Sequence, residues 1–144
     1  MRIDFHHVAV AVSDMDRSVR FYRDLLDFRV AWDMDDRQGE ALSRVVGLPG
    51  ARTRMVMLEG HGGRVELFQY HHPLGMDAGR RRMCDFGITH FALSVRGIQD
   101  LYERLAAAGV QFNCPPLVLR PGVTATYMKG PDGETVELIE YAGE

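Results

Sequence analysis

Two short segments of the chain alternate small residues with larger apolar ones, and each begins with a histidine. Residues 7–12 read HVAVAV, and residues 90–95 read HFALSV. Successive side chains of a β-strand point to opposite faces, so this alternation predicts one strand in each segment. In the residues that follow each segment, apolar positions recur at helical spacing, which predicts an amphipathic helix after each strand.

The two predicted helices have clear starts, stops and apolar stripes. The first begins near Ser13, a good N-cap, and Asp16 completes a capping-box pattern. Its predicted core-facing residues are Met15, Val19, Tyr22 and Leu26. The second helix covers about residues 98–108 and is stopped by Gly109. Its predicted core-facing residues are Ile98, Leu101, Tyr102 and Leu105.

Each half of the chain also ends with a strand that contains the triplet V-E-L. Residues 63–70 read GRVELFQY, and residues 134–141 read ETVELIEY. Turn signals rich in glycine, or reading Pro-Asp-Gly, come just before them and predict that each is the second strand of a hairpin. A short helix is predicted at residues 40–46, inside an otherwise polar stretch at residues 33–50. Further strands are predicted at residues 28–32, 54–58, 111–112 and 123–128.

The order of these elements predicts an α+β fold in which a βαβββ module occurs twice and the sheet is mostly antiparallel. Module one covers about residues 1–72 and module two about residues 86–144. The chain has 144 residues, of which 46% are hydrophobic and 26% are charged. This size and composition are those of one globular domain, so both modules are assigned to a single domain of residues 1–144.

Charge and cysteine content exclude several classes of partner. A net charge of −3 argues against nucleic acid, since phosphate binding needs a basic face. No apolar run approaches the roughly 18 residues of a membrane span, and none forms the core of a signal peptide, so no membrane partner is expected. Cys84 and Cys114 form no C-x-x-C unit. Two isolated cysteines fit a reducing compartment, and we expect a cytoplasmic location.

The repeated histidines and glutamates are the candidate chemical groups: His7, Glu66, His90 and Glu137. Small neighbours on the same strand face leave room for an ion beside each histidine. Each glutamate interrupts an apolar strand, and a buried carboxylate is costly unless it is paired or binds metal. Such a donor set suits Zn, Ni, Co, Mn or Fe. Isolated histidines and glutamates are more often structural, so spacing alone leaves a structural and a metal-binding interpretation open.

Four segments carry a resemblance to a known family. Residues 6–28 read HHVAVAVSDMDRSVRFYRDLLDF, and the other segments read GGRVELFQY, GITHFALSV and GPDGETVELIEY. The sequence resembles the vicinal oxygen chelate superfamily, which includes glyoxalase I, methylmalonyl-CoA epimerase, extradiol dioxygenases and the bleomycin and fosfomycin resistance proteins. The resemblance implies a curved sheet around a metal pocket. It also implies a homodimer, and family members build the metal site from one chain or from two.

The resemblance assigns the four metal ligands by position as His7, Glu66, His90 and Glu137. This set is similar to that of bacterial glyoxalase I, whereas methylmalonyl-CoA epimerase usually has Gln where Glu66 stands. Two departures are Asp27, where a glycine commonly ends the first helix, and Gly130, where the family usually has Asp. The stretch at residues 33–50 is longer than in compact glyoxalases and shows no recognisable glutathione-contacting pattern.

The resemblance implies a divalent-metal-dependent isomerase, epimerase or lyase that acts on a small molecule with vicinal oxygens. A proton would move at the carbon next to a carbonyl through a metal-bound enediolate, with Glu66 or Glu137 as the catalytic base. An alternative is an iron-dependent extradiol dioxygenase, which would need only His7, His90 and Glu137. Another is a non-catalytic drug-binding protein without a metal.

Several other polar residues are weighed against these candidates. Tyr127 either lines the pocket or fills the core, and Glu40 is a less favoured base. Strand alternation places His6 on the face opposite to His7. Solvated loops are the expected places of His61, His71 and His72. The arginine run at residues 80–82 is interpreted as solvated linker rather than as a phosphate site.

Overall fold

The two modules expected from the repeats form separate compact units in a computed structural model of the chain. The structure describes residues 1–79 and 81–143. Arg80, the first residue of the arginine run, and Glu144 lie outside the described residues. The units are Met1–Asp77 and Ala78–Glu144. Within the described residues each unit contains a four-stranded sheet with one parallel and two antiparallel strand pairs. The predicted α+β fold with two tandem, mostly antiparallel modules is therefore confirmed.

The first unit follows the predicted order of elements, including the short helix between its second and third strands. Its elements are β1 (Val8–Ala11), α1 (Met15–Arg20), a π-helical segment (Phe21–Leu25), β2 (Arg29–Gln38), α2 (Glu40–Val46), β3 (Arg52–Gly60) and β4 (Gly63–His72). The strand order is β1-β4-β3-β2, and β1 runs parallel to β4. The last two strands form the predicted hairpin. The short helix predicted at residues 40–46 is confirmed.

The second unit has the same topology. Its elements are β5 (Phe91–Ser94), α3 (Ile98–Ala107), β6 (Leu117–Arg120), β7 (Val123–Lys129) and β8 (Thr135–Tyr141). The strand order is β5-β8-β7-β6, with β5 parallel to β8. In both units, therefore, the first strand lies beside the last, which brings together residues far apart in sequence.

The first helix covers one face of its sheet. All four residues of its predicted apolar stripe are buried, and Tyr22 is fully enclosed. The backbone N–H of Met15 donates to the side-chain oxygen of Gln69 at 2.8 Å. Gln69 shares its strand face with Leu67, which is also fully buried. The helix therefore packs on that face, and Glu66 projects from the opposite one.

The start of this helix differs by one residue from the prediction. The N-cap is Asp14, whose carboxylate accepts from the backbone N–H of Arg17 at 2.9 Å. Ser13 instead accepts from the Arg17 guanidinium at 3.0 Å. A carboxylate satisfies the same free N–H groups as a hydroxyl and also complements the positive end of the helix dipole. The predicted Ser13 cap was therefore wrong.

The two positions that depart from the family pattern both have a local explanation. Asp27 adopts a left-handed conformation with φ of 60°, which Asp tolerates better than most residues. At Gly130 a Cβ atom would stand 2.1 Å from a carboxylate oxygen of Glu134. The Gly130 N–H also donates to the Glu134 carbonyl at 2.8 Å. Glycine at this turn therefore leaves room for the Glu134 side chain.

Three sequence-based assignments need correction. The strand predicted at residues 28–32 continues through the polar residues to Gln38 as β2, where ion pairs such as Asp33–Arg54 at 2.7 Å replace apolar alternation. The strand predicted at residues 111–112 is only a single bridge from Phe112 to Met128, and the edge strand is β6. His71 and His72 lie at the end of β4 rather than in a loop. In the part of the chain that the structure describes, no helix is long and apolar enough to cross a membrane.

Candidate metal centre

The first histidine and the first glutamate of the repeat lie side by side in unit one. His7 comes immediately before β1, and Ala9 of β1 stands opposite Glu66 of β4 in the parallel ladder. Glu66 therefore lies close to the start of β1, within reach of the His7 ring. The distance from His7 Nε2 to Glu66 Oε2 is 2.9 Å.

Unit two repeats this arrangement at corresponding positions. His90 comes immediately before β5, and Ala92 stands opposite Glu137 of β8. The distance from His90 Nε2 to Glu137 Oε2 is 3.1 Å. The similarity of the two halves of the sequence therefore extends to the atoms of the candidate ligands, which the structure brings together as two His–Glu pairs.

Within each pair the glutamate is buried and the histidine is partly exposed. The glutamate side chains are 9% exposed for Glu66 and 11% for Glu137. The histidine side chains are 33% exposed for His7 and 29% for His90. A carboxylate so deeply buried is costly unless a cation or hydrogen-bond donor compensates it. Each pair therefore joins a buried acceptor to an imidazole that solvent, or an ion from solvent, can reach.

The donor atoms and their spacing fit metal ligation. Bonds of about 2.1 Å to imidazole nitrogen and carboxylate oxygen are usual for first-row ions, and two such ligands at right angles stand about 3.0 Å apart. The two observed separations are 2.9 and 3.1 Å. Among residues 1–79 and 81–143, no cluster of three or more His, Cys, Asp or Glu side chains is close enough to hold an ion. Each pair by itself therefore offers two of the four predicted ligands.

Tyr127 lies beside the second pair and is half-buried, which favours the pocket-lining role over the core-filling one. It stands opposite Glu137 in the β7–β8 ladder, and its hydroxyl is 3.5 Å from His90 Nε2. Burial, and then the charge of Glu137, raise the pKa of Tyr127 above its ordinary value, so it stays protonated and can donate. The corresponding position opposite Glu66 is Met57, which has no such donor.

The structure also shows partners at the second ring nitrogen of each histidine. His6 Nδ1 lies 2.7 Å from His7 Nδ1, and Thr89 Oγ1 lies 2.9 Å from His90 Nδ1. His6 is exposed, as expected, but its ring turns towards His7 rather than to the opposite side. Strict alternation does not apply, because both residues precede the hydrogen-bonded part of β1. The signal in the sequence is a polar residue directly before each histidine.

The remaining candidates lie apart from the pairs. Glu40 is 85% exposed on α2, where its carboxylate is 3.9 Å from Arg44. His61 bonds to the carbonyl of Leu26 at 2.7 Å, which ties the β3–β4 turn to the end of the helical segment. His71 bonds to Asp35 at 3.1 Å, and this contact lowers the pKa of Asp35. These contacts are structural.

Comparisons with known proteins agree with the fold. A family model described as the Glyoxalase/Bleomycin resistance protein/Dioxygenase superfamily matches residues 4–138. A 2-epi-5-epi-valiolone epimerase from Actinomyces sp. is 31% identical over 144 residues, covering 93% of this chain and 77% of that enzyme. A probable lactoylglutathione lyase from Synechocystis sp. is 25% identical, covering 96% of this chain and 95% of that protein.

Solved structures show the same fold at low identity. A glyoxalase family protein from Bacillus cereus is 20% identical, with a TM-score of 0.88 and coverage of 99% of this chain and 97% of that one. Relatives in the family thus bear the names of an epimerase and a lyase. The family model covers almost all of the sequence, so the chain belongs to the Glyoxalase/Bleomycin resistance protein/Dioxygenase superfamily.

Proposed function

We propose that this chain is a divalent-metal-dependent isomerase, epimerase or lyase that moves a proton at the carbon next to a carbonyl. The observation that carries the proposal is the repetition of one His–Glu pair at corresponding positions of both units, 2.9 and 3.1 Å between the partner atoms. The names of the relatives, an epimerase and a lyase, support the same class of reaction.

In this proposal His7, Glu66, His90 and Glu137 together ligate one divalent ion. The donor set of two imidazoles and two carboxylates suits Zn, Ni, Co, Mn or Fe. The bound ion would supply Lewis acidity to two neighbouring oxygens of a small-molecule substrate. The four residues come from one chain, or from two copies in a homodimer.

The protein's own side chains supply the proton transfer. One of the two glutamates accepts the proton from carbon and returns it, because a carboxylate held at the reaction centre is a suitable general base. Their burial keeps competing water away from the base. Tyr127, protonated beside His90, is placed to donate a hydrogen bond to a substrate oxygen.

Metal analysis tests the ligand assignment. Metal-free protein is equilibrated with Zn²⁺, Co²⁺, Mn²⁺ or Ni²⁺, and bound ion per chain is counted after removal of the excess. We expect one ion per chain in the wild type, and loss of tight binding in both His7→Ala and His90→Ala. His71→Ala is the matched control, because that histidine is paired with the exposed carboxylate of Asp35. Equal binding in all variants would refute the assignment.

Mixing the two variants distinguishes the two ways of completing the site. If the ligands come from two chains, a mixture of His7→Ala and His90→Ala regains part of its metal binding, since one combination of subunits holds a full set. If each site lies in one chain, the mixture binds no more than the separate variants. Exchange of α-protons with solvent deuterium, without need for oxygen, then tests the reaction class. Strict oxygen dependence would favour the dioxygenase alternative.

A further inference from the structure

Each candidate histidine ligand is contacted at its second ring nitrogen by the side chain immediately before it in the sequence. In unit one the partner is His6, with 2.7 Å between the two Nδ1 atoms and the rings nearly perpendicular. In unit two the partner is Thr89, with 2.9 Å from Oγ1 to Nδ1. The contact recurs although an imidazole and a hydroxyl are different groups, and what the two share is that each can donate or accept a hydrogen bond.

The metal-free and metal-bound states require the imidazole hydrogen to be on different ring nitrogens. A neutral imidazole has one N–H and one bare nitrogen. In the structure each Nε2 is within 3.1 Å of a carboxylate oxygen, and an ionised carboxylate only accepts. In a neutral ring so placed, Nε2 carries the hydrogen and Nδ1 accepts from its partner. A ligand nitrogen must instead be bare, which moves the hydrogen to Nδ1.

The partners of His7 and His90 are groups that can both donate and accept. The Thr89 hydroxyl donates in one orientation and accepts in another. His6 is exposed, so it can exchange its ring hydrogen through water and present either a bare or a protonated Nδ1. A carbonyl, which only accepts, or a backbone N–H, which only donates, would satisfy one state and oppose the other.

We propose that His6 and Thr89 are positioning residues whose reversible hydrogen bonds let His7 and His90 change tautomer as metal is taken up. The inference rests on the proposed function, because it assumes that both Nε2 atoms become ligands. In the change, the Nε2 proton leaves to solvent and Nδ1 gains a proton from solvent. The imidazole stays neutral, and no net proton is released by it. At Thr89 the hydroxyl turns away, and Nδ1–H then donates to Oγ1.

Nitrogen NMR of the imidazole rings tests the first half of the proposal. Shifts of Nδ1 and Nε2 report which nitrogen carries the hydrogen, and comparison with His90→Ala assigns the signals. In metal-free protein we expect the Nε2–H form at His90. After addition of Zn²⁺ alone we expect the Nδ1–H form. Observation of the Nδ1–H form before metal is added would overturn the proposal.

Zinc affinity of paired variants tests the second half. Thr89→Val keeps the shape but removes the hydroxyl, and loss of such a supporting hydrogen bond typically weakens metal binding about 10- to 100-fold. We expect at least a tenfold loss in Thr89→Val and wild-type affinity in Thr89→Ser. His6→Phe should lose affinity, whereas His6→Asn, whose amide can donate or accept, should retain it. Thr124→Val, a β7 hydroxyl deletion, is the control and should bind normally.

The outcomes separate this proposal from the function it rests on. Zinc binding that needs His7 and His90 but is unchanged in Thr89→Val and His6→Phe overturns the positioning role alone. Zinc binding that needs neither histidine overturns the ligand assignment and the positioning role together. An equal loss of zinc affinity in Thr89→Val and Thr89→Ser would also overturn the positioning role. The serine hydroxyl would restore a hydrogen bond but not a purely steric contact.

Discussion

The change Glu66→Gln separates the role of this residue as a ligand from its role as a base. Glu66 is almost fully buried, and its Oε2 lies 2.9 Å from His7 Nε2. The amide has the same shape and keeps an oxygen that can accept from His7 or coordinate an ion, but it cannot take a proton from carbon. The substitution therefore removes basicity while leaving most of the geometry in place.

The magnitudes expected for turnover and for stability are very different. Removal of a general base costs about 100- to 10,000-fold in turnover, or about 3–5 kcal/mol of activation free energy. For the metal-free protein, a neutral amide is easier to bury than a carboxylate, but it accepts a weaker hydrogen bond from the imidazole. Each contribution is about 1 kcal/mol and they oppose each other, so the free energy of unfolding should change by about 1 kcal/mol or less.

The assay follows uptake of solvent deuterium into α-hydroxy carbonyl compounds, with metal at saturation. Glu59→Gln is the matched control. Glu59 lies on the neighbouring strand β3 and is occupied by an ion pair with Arg64 at 2.8 Å, so its variant should turn over normally. Metal affinity and urea unfolding are measured on both variants. These measurements show whether a loss of deuterium exchange comes from loss of the bound ion or from unfolding.

An unchanged rate in Glu66→Gln would show that this residue is not the base. Glu137→Gln, which makes the corresponding change in unit two, would then be expected to lose turnover by the same factor. If both variants exchange deuterium at the wild-type rate with metal bound, neither buried carboxylate takes the proton. That result would refute the reasoning from the paired geometry to the mechanism.

Three further predictions concern stability and substrate contact. Gly60→Ala should lower the free energy of unfolding by about 1–3 kcal/mol in urea titrations, because the new Cβ would stand 3.0 Å from the buried Phe28 ring; wild-type stability would contradict this. Arg54→Met should cost about 1 kcal/mol, less at high salt, since its guanidinium bonds Asp33 at 2.7 Å; a salt-independent loss would point to packing instead. Tyr127→Phe should retain metal affinity but lower turnover about tenfold, the value of one hydrogen bond; equal loss of both would assign Tyr127 to the ion.

The residues of the two His–Glu pairs could be identified from the sequence because duplication repeats them in two places. One histidine before a strand carries little information, but His7 and His90 occupy matching positions, and so do Glu66 and Glu137. Strand periodicity then indicates which neighbouring side chains lie on the same face of the strand as these residues. The buried stripe that includes Tyr22 was predictable because helical periodicity reports burial directly.

The remaining features depend on pairing between strands, which local periodicity does not encode. Asp33 lies in a strand because Arg54 of the next strand neutralises it. This ion pair can be identified only when the pairing of the two strands is known. The edge strand β6 follows two prolines and shows an apolar run without alternation. Tyr127 was undecided because its neighbour Glu137 is set by the register of the β7–β8 hairpin.

The parallel pairing of the first and last strand in each unit makes the ligand geometry independent of what lies between them. His7 and Glu66 are 59 residues apart in the sequence, whereas His90 and Glu137 are 47 apart. The partner atoms nevertheless stand at nearly the same separation, 2.9 and 3.1 Å. The additional residues in unit one include helix α2, which contacts β2, the strand at the opposite edge of the sheet from β1. Intervening segments can therefore lengthen, shorten or be exchanged during evolution or engineering without any change in the spacing of the donor atoms.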